Sequence, residues 1–303
     1  MLLDTASMYF RAFYGVPDTI TAPDGTPVNA VRGLLDFIGR MVGEYRPTHL
    51  ACCWDNDWRP QWRVDLIPSY KAHRVEYVVQ DAPDVEQVPD PLEIQVPVIR
   101  KVLAAFGIAV VGADGYEADD VIGTLATDAG SPVDVVTGNR DLFQLVDDEK
   151  QVRVLYIARG VNRHERVTNA VVREKYGIDG RQYADLAALR GDPSDGLPGV
   201  SGIGEKTAAT LLQRFDTMGG LREAAEDPAS NIAPSPRRKI REAADYLDVA
   251  STVVAVARDI RLGSPDLTLP LSPAHPDDLL VLADKWNLES PITRLVDTLT
   301  GLR

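Results

Sequence analysis

Short apolar runs alternate with segments of helical period through the first half of this chain, and the runs tend to end on acids. Leu50-Ala51-Cys52-Cys53-Trp54, Ile108-Ala109-Val110-Val111, Val133-Asp134-Val135-Val136 and Val152 to Ile157 read as buried strands. Between them, Ala30 to Tyr45 and Leu92 to Phe106 carry apolar residues at helical spacing, as in Val31, Leu34, Leu35 and Ile38. Strands alternating with helices predict an α/β fold with a doubly wound, mostly parallel sheet. Such sheets bind ligands beyond the carboxyl ends of their strands. The acids fall there: Asp4 after Leu2-Leu3, Asp55 after the Cys-Cys strand, Glu117 after Val110-Val111, and Asp141 after Val135-Val136. Carboxylates gathered in one place cannot all stay ionised without cations among them. The pattern therefore predicts a site for several divalent ions.

Glu117-Ala118-Asp119-Asp120 precedes Val121, Ile122 and Leu125, which places the acids in the first turn of a helix. The helix dipole alone accounts for one or two of them. In Thr137-Gly138-Asn139-Arg140-Asp141 an Asn stands where the series leads one to expect another Asp.

Composition narrows the class. A net charge of −13 argues against a protein that coats nucleic acid through a general positive field, although bound metal would offset part of it. The only cysteines, Cys52 and Cys53, are adjacent in an apolar run, so they form neither a disulfide framework nor a zinc spacing. Buried thiols of a reducing compartment are the reading. The N-terminus meets a charge at Asp4, too soon for a signal peptide, and no apolar stretch approaches the roughly 18 residues of a membrane span. A cytoplasmic, monomeric protein without membrane contact is expected. Basic residues cluster at Arg59 to Arg74, Arg159 to Arg166 and Arg237 to Arg241, and each cluster reads equally as a solvated face.

From Tyr183 onward the pattern becomes helical, which sets a division into 1–180 and 181–303. Gly191 to Ala208 is dense in Gly and Pro, and Glu205 to Phe215 follows as a helix. A glycine-lined loop feeding a helix N-terminus presents backbone N–H groups to phosphate. The stretch 197–206, with Gly202, Gly204, Lys206 and Thr207, reads as a helix–hairpin–helix that grips a duplex backbone without reading bases. Arg238 to Val256 and roughly Pro276 to Leu288 are expected to complete this second, mostly helical region.

These segments carry a resemblance. Leu3-Asp4 with Tyr9-Phe10-Arg11-Ala12-Phe13, Trp54-Asp55, Tyr70-Lys71-Ala72-His73-Arg74, Glu117 to Thr124, Thr137 to Asp141, and Gly191-Asp192 through Ala208 stand in the order of the bacterial 5′-nuclease, or flap endonuclease, family. The chain resembles the stand-alone relatives of the 5′-nuclease domain of DNA polymerase I, nearly end to end. The resemblance implies a PIN-like core and cleavage of DNA at 5′ ends, gaps, nicks and flaps, in replication and repair, with two or more Mg²⁺ or Mn²⁺ ions. It assigns Asp4, Asp55, Glu117, Asp119 and Asp120 to one side of the metal cluster. Asn139, Asp141, Asp192 and Asp195 fall on the other. An all-oxygen donor set fits these hard ions rather than zinc. Lys71 and Arg74 match the basic pair over the scissile phosphate, Arg11 and Arg63 match further phosphate contacts, and Tyr70 would stack on an unpaired base or pack. Carbonyls of the hairpin in relatives can also carry a monovalent ion such as K⁺, and a functional link to a DNA polymerase or ligase stays open.

Two departures follow. Asn139 occupies the family's first Asp of Gly-Asp-x-Asp; it lacks the negative charge and offers one acceptor oxygen, so a weakened or lost metal and much reduced activity are expected. Val75 to Pro91 has no Lys or Arg, where relatives have a basic arch, and predicts a short irregular or hairpin-like loop. A phosphatase with Asp4 as nucleophile is disfavoured, because Ala6 stands where a second Asp is wanted. The remaining alternative is a non-catalytic protein that binds branched DNA.

Overall fold

The apolar runs assemble into one six-stranded sheet in the computed structural model, which describes residues 1–79, 82–127 and 129–302. In chain order the strands are β1 (Leu2–Asp4), β2 (Ala51–Trp54), β3 (Val75–Tyr77), β4 (Val85–Glu86), β5 (Ala109–Gly112), β6 (Val133–Thr137), β7 (Val152–Tyr156) and β8 (Glu165–Val167). The sheet runs β5-β2-β1-β6-β7-β8, parallel except for β8, and β3 pairs with β4 separately. From β1 the chain builds outward to β2 and β5 on one side, then to β6 and β7 on the other. The direction of winding thus reverses between β1 and β6, where sheets of this kind open a crevice.

The helices are α1 (Thr5–Gly15), α2 (Asn29–Tyr45), α3 (Gln61–Leu66), α4 (Asp90–Phe106), α5 (Ala118–Thr127), α6 (Asn169–Tyr176), α7 (Tyr183–Arg190), α8 (Glu205–Phe215), α9 (Met218–Glu226), α10 (Pro234–Glu242), α11 (Ala244–Val254), α12 (Pro276–Trp286) and α13 (Glu289–Thr300). Successive strand side chains point to opposite faces, so consecutive apolar residues feed two cores. Leu2, Cys53, Val135 and Val154 pack on the α5 side with the helical region. Leu3, Cys52, Val136 and Leu155 pack on the side of α2 and α4. Each buried Leu or Val among these contributes about 1.5–3 kcal/mol. Cys52 and Cys53 are free and buried, one in each core.

Two expectations change. First, α12 and α13 do not extend the helical region; they pack on α4 and α2 beside the sheet, with Leu279, Ile292, Leu295 and Leu299 joining that core. An extended segment carries the chain back, bonding Leu50 N–H to Leu267 O (2.8 Å) and Leu269 N–H to Thr48 O (3.0 Å). Second, 238–256 is not one helix: it breaks at Ala243 (φ −98°, ψ 14°), because α10 packs on α9 while α11 packs on α7. The acidic segment takes the expected hairpin-like form. Arg59 Nη1 meets Asp84 Oδ2 at 2.5 Å, Trp58 Nε1 donates to Asp84 O (2.6 Å), and Gln87 N–H donates to Arg74 O (2.8 Å), holding a β3–β4 hairpin. Its Gln80 and Asp81 lie outside the described residues. No helix is long and apolar enough to cross a membrane among the described residues.

Candidate metal and nucleic-acid site

The crevice between β1 and β6 is built by the strand-end acids. Asp4 ends β1 and caps α1: its Oδ1 accepts from Ser7 N–H (3.1 Å) and its Oδ2 from Thr137 Oγ1 (2.6 Å), at the end of β6. That second bond spans the crevice. Asp55 follows β2, and its Oδ1 accepts from Ala118 N–H (2.7 Å), which seats the start of α5. Glu117 and Asp119 arrive with that first turn, where the helix dipole favours acids. Together with Lys71, Arg74, Asn139 and Asp195 these residues line a cleft of about 310 Å³.

Lys71 is its central cation. The ammonium bonds Glu117 Oε2 and Trp58 O, the latter at 3.2 Å. Burial alone would lower its pKa, yet the Glu117 carboxylate beside it holds it well above the ordinary lysine value. Lys71 has φ 48° and ψ 17°, a left-handed backbone uncommon outside glycine and costly unless its surroundings enforce it. They do. Lys71 N–H donates to Asp195 O (3.0 Å) and Ser69 Oγ to Gly196 O (2.7 Å), while Arg74 reaches Ser194 O (2.6 Å) and Asp195 Oδ1 (3.1 Å). Gly196 permits this contact, because a Cβ there would lie 2.0 Å from Ser69 O. The loop bearing Asp195 is thereby locked to the loop bearing Lys71.

Burial, followed by mutual repulsion, raises Asp55, Asp119 and Asp141. Asp55 is pushed up to about 7, chiefly by burial, then by Glu117 and Asp4, against the bond from Ala118. Asp119 lies well above the usual range through burial, with Asp4 and Glu117 adding to it. Asp141 is pushed up to about 7 by burial and by Asp195 and Asp192, which gathers these three into a second acidic group. Asp192 Oδ1 accepts from Ser194 N–H (2.9 Å), and Arg190 stands 3.5 Å from its Oδ2. Asn139 links the groups. Its Nδ2 donates to Asp119 Oδ2 (2.7 Å) and its Oδ1 accepts from Asp141 N–H (3.0 Å). Among the described residues, no three such side chains close on one point as a finished metal cage. The donors nonetheless fit hard divalent ions, which bind through one or two carboxylates and keep several waters.

The structure places three expected site residues elsewhere. Asp120 is completely buried and faces away from the cleft, so it is not placed to bind metal there. Arg63, expected to contact phosphate, is buried against Asp120: Nη1 and Nη2 each meet an Asp120 oxygen at 2.7 Å, and Nη1 also meets Glu117 Oε1 at 3.0 Å. Its Nε and Nη2 donate to Val253 O (2.9 Å) and Ala255 O (3.3 Å). All five guanidinium donors are used inside the protein. The Tyr70 ring is buried and packs in the core, the second of the two roles expected for it; its hydroxyl donates to Glu117 Oε1 (2.7 Å).

Two site residues carry no motif signal. Glu86 of the acidic hairpin lines the cleft beside Arg74. Buried Gln144 donates to Asp141 O (2.9 Å) and Val254 O (3.1 Å) and accepts from Val256 N–H (3.0 Å). With Ala257 N–H donating to Asp120 Oδ1 (2.8 Å), the segment after α11 is clasped directly behind the acids.

The expected hairpin lies beyond them. Gly202 has φ +71°, Gly204 caps α8, and Lys206 and Thr207 are exposed on its first turn. A Cβ at Gly204 would meet nothing, so that backbone is open to close approach. Gly202 O accepts from the Lys239 ammonium (2.9 Å). Arg11 lies on the other flank, lining an adjoining cleft of about 850 Å³ with Arg159, Arg163, Phe10 and Tyr14.

Comparison with known proteins agrees with this architecture. Residues 1–177 match the 5′-3′ exonuclease N-terminal resolvase-like domain, and 178–277 match the 5′-3′ exonuclease C-terminal SAM fold. A 5′-3′ exonuclease of Streptomyces coelicolor is 59% identical over 301 residues, covering 99% of this chain and 100% of that protein. One of Mycobacterium tuberculosis is 52% identical over 313 residues, covering 99% and 98%. Among solved structures, T5 5′-exonuclease with zinc ions bound superposes with a TM-score of 0.64 at 15% identity, covering 100% of this chain and 98% of that one, a likeness of fold. The chain belongs to the bacterial 5′-3′ exonuclease family.

Proposed function

We propose that the protein is a structure-specific 5′ nuclease, acting as 5′-3′ exonuclease and flap endonuclease on DNA with 5′ flaps, gaps or nicks. The observation that carries this reading is the lock between Lys71–Arg74 and Ser194–Gly196, which brings acids of the helical half to the crevice acids at the sheet's switch point. Asp4, Asp55, Glu117 and Asp119 would hold divalent ions, Mg²⁺ or Mn²⁺, on one side, and Asp141, Asp192 and Asp195 on the other. When bound, such ions supply activation of water and stabilisation of the leaving oxygen in an in-line displacement. Lys71 and Arg74 set positive charge where the scissile phosphate gains negative charge. Arg11 and the hairpin at Gly202–Gly204 with Lys206 and Thr207 hold the DNA backbone.

Asn139 moderates this chemistry. It donates a hydrogen bond to Asp119 where an acid would share a cation with it. Ligation of the ions is weakened, and activity is lower than an Asp at this position would permit.

Cleavage of gapped, flapped and plain duplexes with Mg²⁺, Mn²⁺ or a chelator tests the reading. Metal-dependent cuts at the branched substrates, lost by at least about a hundredfold in Asp55→Asn, are expected. Cleavage undiminished by chelator would overturn it. So would tight binding without cleavage by both the native protein and Asn139→Asp, which identifies a non-catalytic branched-DNA-binding protein.

A further inference from the structure

Helix α10 carries Arg237, Arg238, Lys239 and Arg241, and three of these cations are engaged within the helical region. Arg237 donates to Asp227 O (2.6 Å) and Ser230 O (2.7 Å), Arg238 lies 3.6 Å from Glu242, and Arg241 lies 3.2 Å from Glu226. Lys239 is used differently. Its Nζ donates to the carbonyl of Gly202 at 2.9 Å, and a Cβ on Gly202 would lie only 2.4 Å from that nitrogen. The ammonium therefore rests directly on the hairpin. It has three donors, of which the carbonyl takes one. Beside it lies the open backbone of Gly204, followed by the exposed Lys206.

We propose that Lys239 is a DNA-binding residue that serves as the hairpin's own cation, its ammonium bridging the Gly202 carbonyl and a phosphate of the duplex arm. This rests on the nuclease reading above and deepens it. The carbonyl dipole orients the ammonium and the remaining N–H groups face the phosphate. A charge tethered to α10 is present at the hairpin at high effective concentration, whatever salt is in solution. The monovalent ion that the family resemblance places at the hairpin is then unnecessary in this chain.

The test is binding of a fluorescent 5′-flap duplex by the full-length protein at constant ionic strength, in potassium, sodium or tetramethylammonium chloride. Native dissociation constants are expected to agree within about twofold among the three salts. Lys239→Met should bind about five- to tenfold more weakly in tetramethylammonium and recover in part with potassium. Its plot of log Kd against log salt should flatten by about one charge, while Lys239→Arg keeps the native slope. Lys239→Met binding with native affinity and slope would overturn the proposal alone. A native protein that loses its grip in tetramethylammonium would also overturn it alone. Native protein that binds no flap or duplex in any salt would overturn this proposal and the nuclease reading together.

Discussion

Replacing Arg63 separates a structural role from a DNA-contacting one. In Arg63→Met the Asp120 carboxylate, fully buried, loses both 2.7 Å bonds, and Glu117 loses one of 3.0 Å. The carbonyls of Val253 and Ala255 lose their donor, and the guanidinium no longer stacks 4.4 Å from the Trp62 ring. Breaking a buried pair by removing one partner costs about 3–5 kcal/mol, because the other charge stays desolvated. A solvent-facing arginine on phosphate would cost less than about 0.5 kcal/mol to remove. Urea unfolding followed by circular dichroism should therefore place Arg63→Met about 3–5 kcal/mol below the native protein. In Arg63→Met/Asp120→Asn no unpaired buried charge remains, so the double variant should be about 1–3 kcal/mol more stable than additivity implies. A single variant within 1 kcal/mol of native, with a weaker salt dependence of DNA binding, would refute the burial argument.

Asn139→Asp sets two carboxylates where a 2.7 Å hydrogen bond now lies, so without metal it should destabilise by about 1–3 kcal/mol. With Mn²⁺ it should cleave flaps at least about tenfold faster than native protein, and no gain would refute the reading of this position. The metal-free protein should lose stability as pH rises. Asp55 and Asp141, raised to about 7, hold protons in the folded state that the unfolded chain releases near 4, so between these values each costs about 1.4 kcal/mol per pH unit. A urea midpoint that is flat or rises from pH 5 to 7 in chelator would contradict this. Gly196→Ala, with φ +71° and a Cβ 2.0 Å from Ser69 O, should push apart the Lys71 and Asp195 loops, lowering stability by about 1–3 kcal/mol and cleavage with it; native kinetics would show that the lock is dispensable.

The acids at strand ends were legible because a run's period and length locate its carboxyl end. Asp4, Asp55 and Glu117 line the cleft, Asp119 joins them from the first turn of α5, and Asp141 is not among the lining residues. The hairpin was legible from its glycines. Arg63 was not. Its partners Glu117 and Asp120 lie just before and on α5, and Val253 and Ala255 lie at the end of α11 and just beyond it, distances along the chain that no local pattern encodes. Gln144 was missed for the same reason, since its bonds to Val254 and Val256 exist only once the helical half returns to the core. Periodicity alone assigns the C-terminal helices to the nearer region, yet an amphipathic helix carries no label for its partner, and α13 packs on α2.

By itself the sequence determined that a parallel sheet would present carboxylates at one edge, and it determined the family through motifs in order. Which carboxylates would serve was decided by the tertiary structure. Asp119 and Asp120 are neighbours in a helix, so their side chains point about 100° apart. The seating of α5 by the bond from Ala118 N–H to Asp55 turns Asp119 toward Asn139 and the cleft, and Asp120 toward Arg63 behind it. Two adjacent, chemically identical residues thus divide into a site acid and a buried structural one, because the docking of a helix sets the direction of each side chain.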